Sequence, residues 1–285
     1  MRSLRPGHGY QAGRNMVKQH RDTIHQIFNP QFFMSDTIYV AFATQKGGAG
    51  KSTLTALVAS YLRYVEGVEV AVIDCDSTQH SMNVYREHDL MVTKENPRLK
   101  RVLHKFYLDK GYKPYPILLT SPADAIKVAE DFVAKGNTPK VIFFDITGTI
   151  NNRDIVTLIA GMHYIFVPIT TETGEMASSI TFANNVQNRM ITTGLSKIRE
   201  MRLVWNKVNS RDKPRLCEII DHYMEKLGLS SLDTVLVKSN KFEKDGLEVG
   251  NGMIFRSTML PPDKRLLKGS NLVELVKEVR SIINV

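Results

Sequence analysis

The stretch TQKGGAGKST, residues 44–53, constrains this chain more than any other. It stands between an apolar run, TIYVAFA (37–43), and a segment whose Leu54, Leu57, Val58, Leu62 and Val65 share one helical stripe. A glycine-rich loop that joins a buried strand to a helix is a phosphate cradle. Gly47, Gly48 and Gly50 let backbone N–H groups close around phosphate oxygens, and the helix N-terminus adds partial positive charge. Lys51 is placed to bridge the β- and γ-phosphates and Ser52 to offer its hydroxyl to Mg²⁺, while Gln45, Ala49 and Thr53 complete the loop. Two residues depart from the usual pattern GxxxxGK[ST]: Gln45 stands where glycine is expected, and a second lysine, Lys46, follows it.

Short apolar runs alternate with longer amphipathic ones through the rest of the chain, which is how a parallel sheet built from βα units reads. The expected strands are TIYVAFA (37–43), VEVAVID (68–74), PILLT (116–120), KVIFFDI (140–146), HYIFVPI (163–169), MRLVWNKV (201–208) and TVLVK (234–238). Several are nearly continuous Val, Ile and Phe, as in strands covered by helices on both faces. A helix containing Ile126, Val128, Ala129, Phe132 and Val133 is expected to start at Ser121-Pro122, and another to span Leu266 to Ile283. The expected fold is therefore a doubly wound α/β domain with a mostly parallel sheet, a P-loop NTPase, over residues 34–285. Residues 1–33, with Arg2, Arg5, Arg14, Lys18 and Arg21 against Asp22 alone, read as a basic N-terminal extension, and Met34 as a candidate natural start.

Composition excludes several classes. Cys75 and Cys217 have no CxxC or Cys/His spacing, which argues against a disulfide framework, a zinc site or an iron–sulfur cluster and for a reducing cytoplasm. No run reaches the length of a membrane span, and the stripe Leu272, Val273, Leu275, Val276 and Val279 is expected to pack into the core rather than onto a membrane. The net charge of +9 points to an anionic partner. Basic residues gather at Arg98, Lys100, Arg101, Lys105, Lys110 and Lys113, then at Lys207, Arg211, Lys213 and Arg215, and at Lys238, Lys241 and Lys244. Without a helix-turn-helix or an aromatic platform, these clusters suit non-specific contact with DNA phosphates or serve as ordinary solvated faces.

Two more strand ends carry carboxylates. Val72-Ile73-Asp74-Cys75-Asp76 places a pair where the sheet's C-terminal edge meets the ligand crevice, with helix capping as the simpler alternative. Val141-Ile142-Phe143-Phe144-Asp145 has the form of a Walker B element, in which Asp145 holds Mg²⁺ through water.

KGGxGK[ST], preceded here by Gln45, resembles the deviant Walker A signature of ParA/MinD ATPases, the ParA branch above all. The resemblance covers most of 34–285. It implies ATP and Mg²⁺ as ligands, slow ATP hydrolysis, and a homodimer in which Lys46 reaches across to phosphates held by the other subunit. It makes Lys46, Lys51 and Asp76 the catalytic residues, with Asp76 orienting the attacking water, and sets Asp74 near Mg²⁺ beside Ser52 and Asp145. It marks Asn206 as the reader of the adenine edge and Val167 to Glu172 as a loop on the same rim, with a satisfied loop polar group as the alternative for each. Ser77-Thr78 before Gln79, and Ile146-Thr147-Gly148-Thr149, depart from the common ParA form. DCD followed by QHS, the Asp145 to Thr149 segment and PPDKRLLKGSNL (261–272) look most like ParA-like TraA proteins of Bacteroides conjugative transposons. The implied role is partition or conjugal transfer of a mobile DNA element, with a ParB-like or transfer-apparatus protein as activator. A ligase or reductase component of the same P-loop branch, and a DNA-binding scaffold stabilised by nucleotide, are the alternatives.

Overall fold

The computed structural model describes residues 37–76, 79–148, 152–209, 213–243 and 255–285. The expectations for residues 1–33, Met34, Ser77, Thr78, Thr149, Arg211, Lys244 and the side chains of Lys213 and Lys241 lie outside that description.

Six strands form one sheet: β1 (Ile38–Phe42), β2 (Val70–Asp74), β3 (Ile117–Leu119), β4 (Val141–Asp145), β5 (Tyr164–Ile169) and β6 (Glu200–Trp205). Their order is β3-β2-β4-β1-β5-β6, and every pairing is parallel. The connecting helices are α1 (Lys51–Tyr64), α2 (Ser81–Glu95), α3 (Pro97–Lys110), α4 (Ala125–Ala134), α5 (Arg153–Ala160) and α6 (Thr173–Val186). Then come α7 (Lys213–Lys226), α8 (Asn240–Glu243), α9 (Lys264–Leu267) and α10 (Leu272–Ile283). This is the doubly wound α/β architecture of P-loop nucleotide-binding proteins.

The central strands are nearly all apolar because both faces of the sheet are covered there. Tyr39, Ala41, Ile142 and Phe144 point into one core, and Val40, Phe42, Val141 and Phe143 into the other. In the second core α1 is buried from Leu54 to Tyr64, roofed by Leu272, Leu275, Val276 and Val279 of α10. The C-terminal apolar stripe is therefore core, and among the described residues no helix is long and apolar enough to cross a membrane.

Three elements differ from the sequence expectation. TVLVK (234–238) does not form a seventh strand. Leu236 and Lys238 donate to the Trp205 and Val208 carbonyls, but the N–H groups of Asp233 and Thr234 are taken by the Glu278 carboxylate of α10 and the Val235 carbonyl by Asn271, so the ladder stays incomplete. The helix expected over Leu266 to Ile283 is broken between α9 and α10, where Gly269 (φ 71°) and Asn271 (φ 55°) adopt left-handed backbone. Ser121 caps a turn rather than α4 itself: its Oγ accepts from the Asp124 N–H at 3.3 Å, and the helix begins one residue later.

Candidate nucleotide-binding site

Sheet register gathers the site. Asp145 at the end of β4 stands opposite Phe42 on one side and Asp74 on the other, so the loop leaving β1 lies between the ends of the two carboxylate-bearing strands and β5. The loop is pinned at its entrance, where Thr44 Oγ1 meets Ser179 Oγ at 3.0 Å and Ser179 Oγ donates to the Pro168 carbonyl. Gly48 (φ 84°) and Gly50 (φ 92°) supply left-handed backbone, and Gly50 ends the loop as the N-cap of α1. The N–H groups of Lys51, Ser52 and Thr53 thus lie in the first turn of the helix, the geometry that holds phosphate.

Lys51 folds back over the loop, its Nζ donating to the Lys46 carbonyl at 3.2 Å. Burial pulls its pKa down, against the pull of Asp145 and Asp76. Gln45, Lys46, Gly47 and Gly48 are exposed, whereas Ala49 is buried. Lys46 Nζ lies beside the first turn of α6, where a Cβ added at Gly174 would approach it to 3.4 Å.

Ser52 Oγ donates to Asp145 Oδ1 at 3.0 Å, while Asp145 Oδ2 is buried with no hydrogen-bond partner. Burial pushes the Asp145 carboxyl up to about 7, the Ser52 bond opposing and Asp74 adding to the rise. A buried carboxylate oxygen without a partner, next to a hydroxyl at a phosphate cradle, fits a divalent cation. Among the described residues no cluster of three or more His, Cys, Asp or Glu side chains could hold a metal, so a cation here would share its ligands with bound phosphates.

Asp74 is differently occupied. Its Oδ1 accepts from Asp76 N at 3.3 Å, and its Oδ2 accepts from Met82 N and Asn83 N at 3.0 and 3.1 Å, in the first turn of α2. The helix-capping alternative weighed for the aspartate pair is therefore realised in Asp74. Asp76 sits at the rim, with Oδ1 accepting from the Gln79 N–H at 3.2 Å.

Asn206, just past β6, is buried and braces the loop rather than facing out. Its Nδ2 donates to the Ala49 carbonyl at 2.8 Å, and its Oδ1 accepts from Lys207 N. A cavity of about 250 Å³ opens against Gly50, Thr53, Asn206, Lys207 and Phe242.

Two residues join the site that motif reading did not place there. Lys207, in left-handed backbone (φ 55°), donates from Nζ to the Gly48 carbonyl at 3.0 Å. Glu175 accepts from Thr170 Oγ1 and stands over Gly48, 3.6 Å from where a Cβ would lie. Lys207 was visible in sequence only as one member of a basic cluster, and Glu175 carried no signal.

The chain matches the model of the CobQ/CobB/MinD/ParA nucleotide binding domain over residues 40–248. No curated protein sequence matches it. Among solved structures it is similar to ParA of pNOB8 (15% identity, 87% of this chain and 99% of that one, TM-score 0.54). It is also similar to a substituted form of Cyanothece McdA in complex with ATP (11% identity, 88% and 98%, TM-score 0.55). A third likeness is to MinD of Pyrococcus horikoshii with Mg-ADP (14% identity, 86% and 96%, TM-score 0.52). At these identities the structures speak for the fold. The sequence match covers most of the chain, which therefore belongs to the CobQ/CobB/MinD/ParA nucleotide-binding family.

Proposed function

We propose that this chain is an ATP-driven dimerisation switch of the ParA type. The observation that carries the reading is the division between its two loop lysines. Lys51 is partly buried and folded over the cradle, while the Lys46 side chain is exposed beside the first turn of α6. A cation so placed is available to phosphates bound by a second copy, which would make ATP the bridge between two chains.

The chemistry is attack of water on the γ-phosphate, yielding ADP and inorganic phosphate. Asp76, at the rim of the site, orients the water; Lys51 and the partner copy's equivalent of Lys46 balance charge on the phosphoryl oxygens. Ser52 and Asp145 are the residues that would hold Mg²⁺, which when bound offsets the charge of the phosphates. Asp74 acts one layer out, fixing the backbone of Asp76. Asn206 and Lys207 set the loop's shape, and the cavity beside them is the place for the base.

The output we assign is partition or conjugal transfer of a mobile DNA element in the cytoplasm, with non-specific DNA and a ParB-like or transfer-apparatus protein as partners. It rests on the resemblance to TraA-like proteins. Sedimentation of wild type and Asp76→Ala with ADP or ATP, with and without duplex DNA, tests the switch. The expected result is an ATP-dependent dimer that persists longer in Asp76→Ala and binds DNA. A monomer in every nucleotide state would overturn it, and turnover that rises only with a small-molecule co-substrate would favour a ligase-type enzyme.

A further inference from the structure

The helices α2 and α3 carry an apolar groove that neither the sheet nor the nucleotide site uses. Asn96 joins them, its Oδ1 accepting from Arg98 N and Leu99 N to start α3. Of the fourteen residues in α3 only Leu103 is buried. Leu90 of α2 and Leu108 of α3 are 50% and 69% exposed, and Met91 and Val102 are about as open. Between the helices lies a cavity of about 1050 Å³, with Leu90, Leu103, Tyr107, Leu108 and Met259 on its walls and floor. Its rim carries Lys100, Arg101 and His104, and among the described residues no carboxylate lines it.

We propose that this groove docks an amphipathic helix bearing acidic side chains, supplied by a partner protein. Shape and charge argue together. A helix with an apolar stripe at spacings of three and four would cover Leu90 and Leu108 with one face while its flanking carboxylates meet Lys100 and Arg101. The groove runs along α3, whose fourteen residues span about 21 Å, the length of a short binding helix.

Charge also disfavours the other occupants. Residues 1–33 carry Arg2, Arg5, Arg14, Lys18 and Arg21 against one aspartate and would meet a rim of like sign. A second copy would set two basic rims against each other. Duplex DNA suits the rim but has no use for exposed leucines, since phosphate contacts need cations alone. The basic cluster read from sequence as either a phosphate-contact face or an ordinary solvated one thus gains an apolar floor that gives it a different partner.

The test uses fluorescence anisotropy with the full chain and three labelled peptides of about 14 residues. One carries leucines in a helical stripe flanked by glutamates, one replaces the glutamates with lysines, and one scrambles the leucines. We expect the acidic amphipathic peptide to bind saturably and the other two to bind at least roughly tenfold more weakly. Leu108→Glu and Arg101→Glu should each weaken it by about tenfold or more, with thermal melting unchanged because both side chains are exposed. Equal binding of acidic and basic peptides, or indifference to Leu108→Glu, would overturn the proposal. So would displacement of the peptide by duplex DNA or by phosphatidylglycerol vesicles whose own binding depends on Arg101 and not on Leu108.

Discussion

The side-chain amide of Asn206 donates to the Ala49 carbonyl at 2.8 Å, tying the end of β6 to a phosphate loop 157 residues earlier in the chain. The bond is buried, and Asn206 Nδ2 fills the space that a Cβ on Gly50 would need, 2.6 Å away. Asn206→Ala leaves the Ala49 carbonyl and the Lys207 N–H without this partner. It should cost about 1–3 kcal/mol of stability, read by chemical denaturation, and should weaken nucleotide binding as the loop loosens. Asn206→Asp places a carboxylate against a carbonyl and should be at least as harmful. Wild-type affinity in both variants would show that the brace is dispensable.

Gly148 sits under the loop with no room for a side chain. A Cβ there would lie 2.9 Å from the Gln45 carbonyl and 3.3 Å from Lys51 Nζ. Its backbone is not left-handed, so the constraint is space and not conformation. Gly148→Ala should therefore push the loop and Lys51 aside, reducing ATP affinity by roughly tenfold or more, with little change in melting temperature. Isothermal titration with ATP alongside thermal melts separates the two effects.

The two lysines should fail differently. Lys51→Ala removes the cation folded over the cradle, so ATP binding itself should fall by about two orders of magnitude. Lys46→Ala should leave binding to one subunit within a fewfold of wild type and abolish the ATP-dependent dimer and turnover. Nucleotide titration at low protein concentration, paired with sedimentation at high concentration, distinguishes them. Equal loss of binding in both variants would place Lys46 in its own subunit's site.

Burial holds the Asp145 carboxyl up to about 7, whereas in an unfolded chain it titrates near 4. In metal-free and nucleotide-free protein the folded state therefore keeps a proton that the unfolded state has lost between those values. Stability from this group falls as pH rises from about 4 to about 7 and then levels off. Asp145→Asn removes the dependence. Its melting temperature relative to wild type should climb by several degrees across that range. A difference that stays flat with pH would show that the carboxylate is already compensated.

What the sequence disclosed was local. The strand, glycine loop and helix from Ile38 to Tyr64 are contiguous, and the six apolar runs that became β1 to β6 each carry their own pattern. The failures came from distant partners. TVLVK has the composition of a strand, but distant side chains take some of its backbone groups: Glu278 accepts from Asp233 N and Thr234 N, and Asn271 donates to the Val235 carbonyl. Lys207 reads as one basic residue among several until its left-handed backbone directs it to Gly48. Asp74 and Asp145 are alike as strand-ending aspartates, yet one is ringed by backbone donors and the other has an empty oxygen, a difference set by where α2 begins. The apolar groove on α3 was hidden because a sequence stripe does not reveal whether anything packs against it.

The hold of Asp74 on the first turn of α2 has a mechanical consequence. The same carboxylate grips the backbone of Asp76 and the root of a fifteen-residue helix about 22 Å long. A tilt of about ten degrees at that root would carry the far end, at Glu95, through about 4 Å. Small shifts of the Asp76 backbone would thus emerge enlarged on the outer face of the molecule, with a gain fixed by helix length instead of by chemistry. A chain with one turn removed from α2 would keep the Asp74 and Asp76 contacts and lose amplitude.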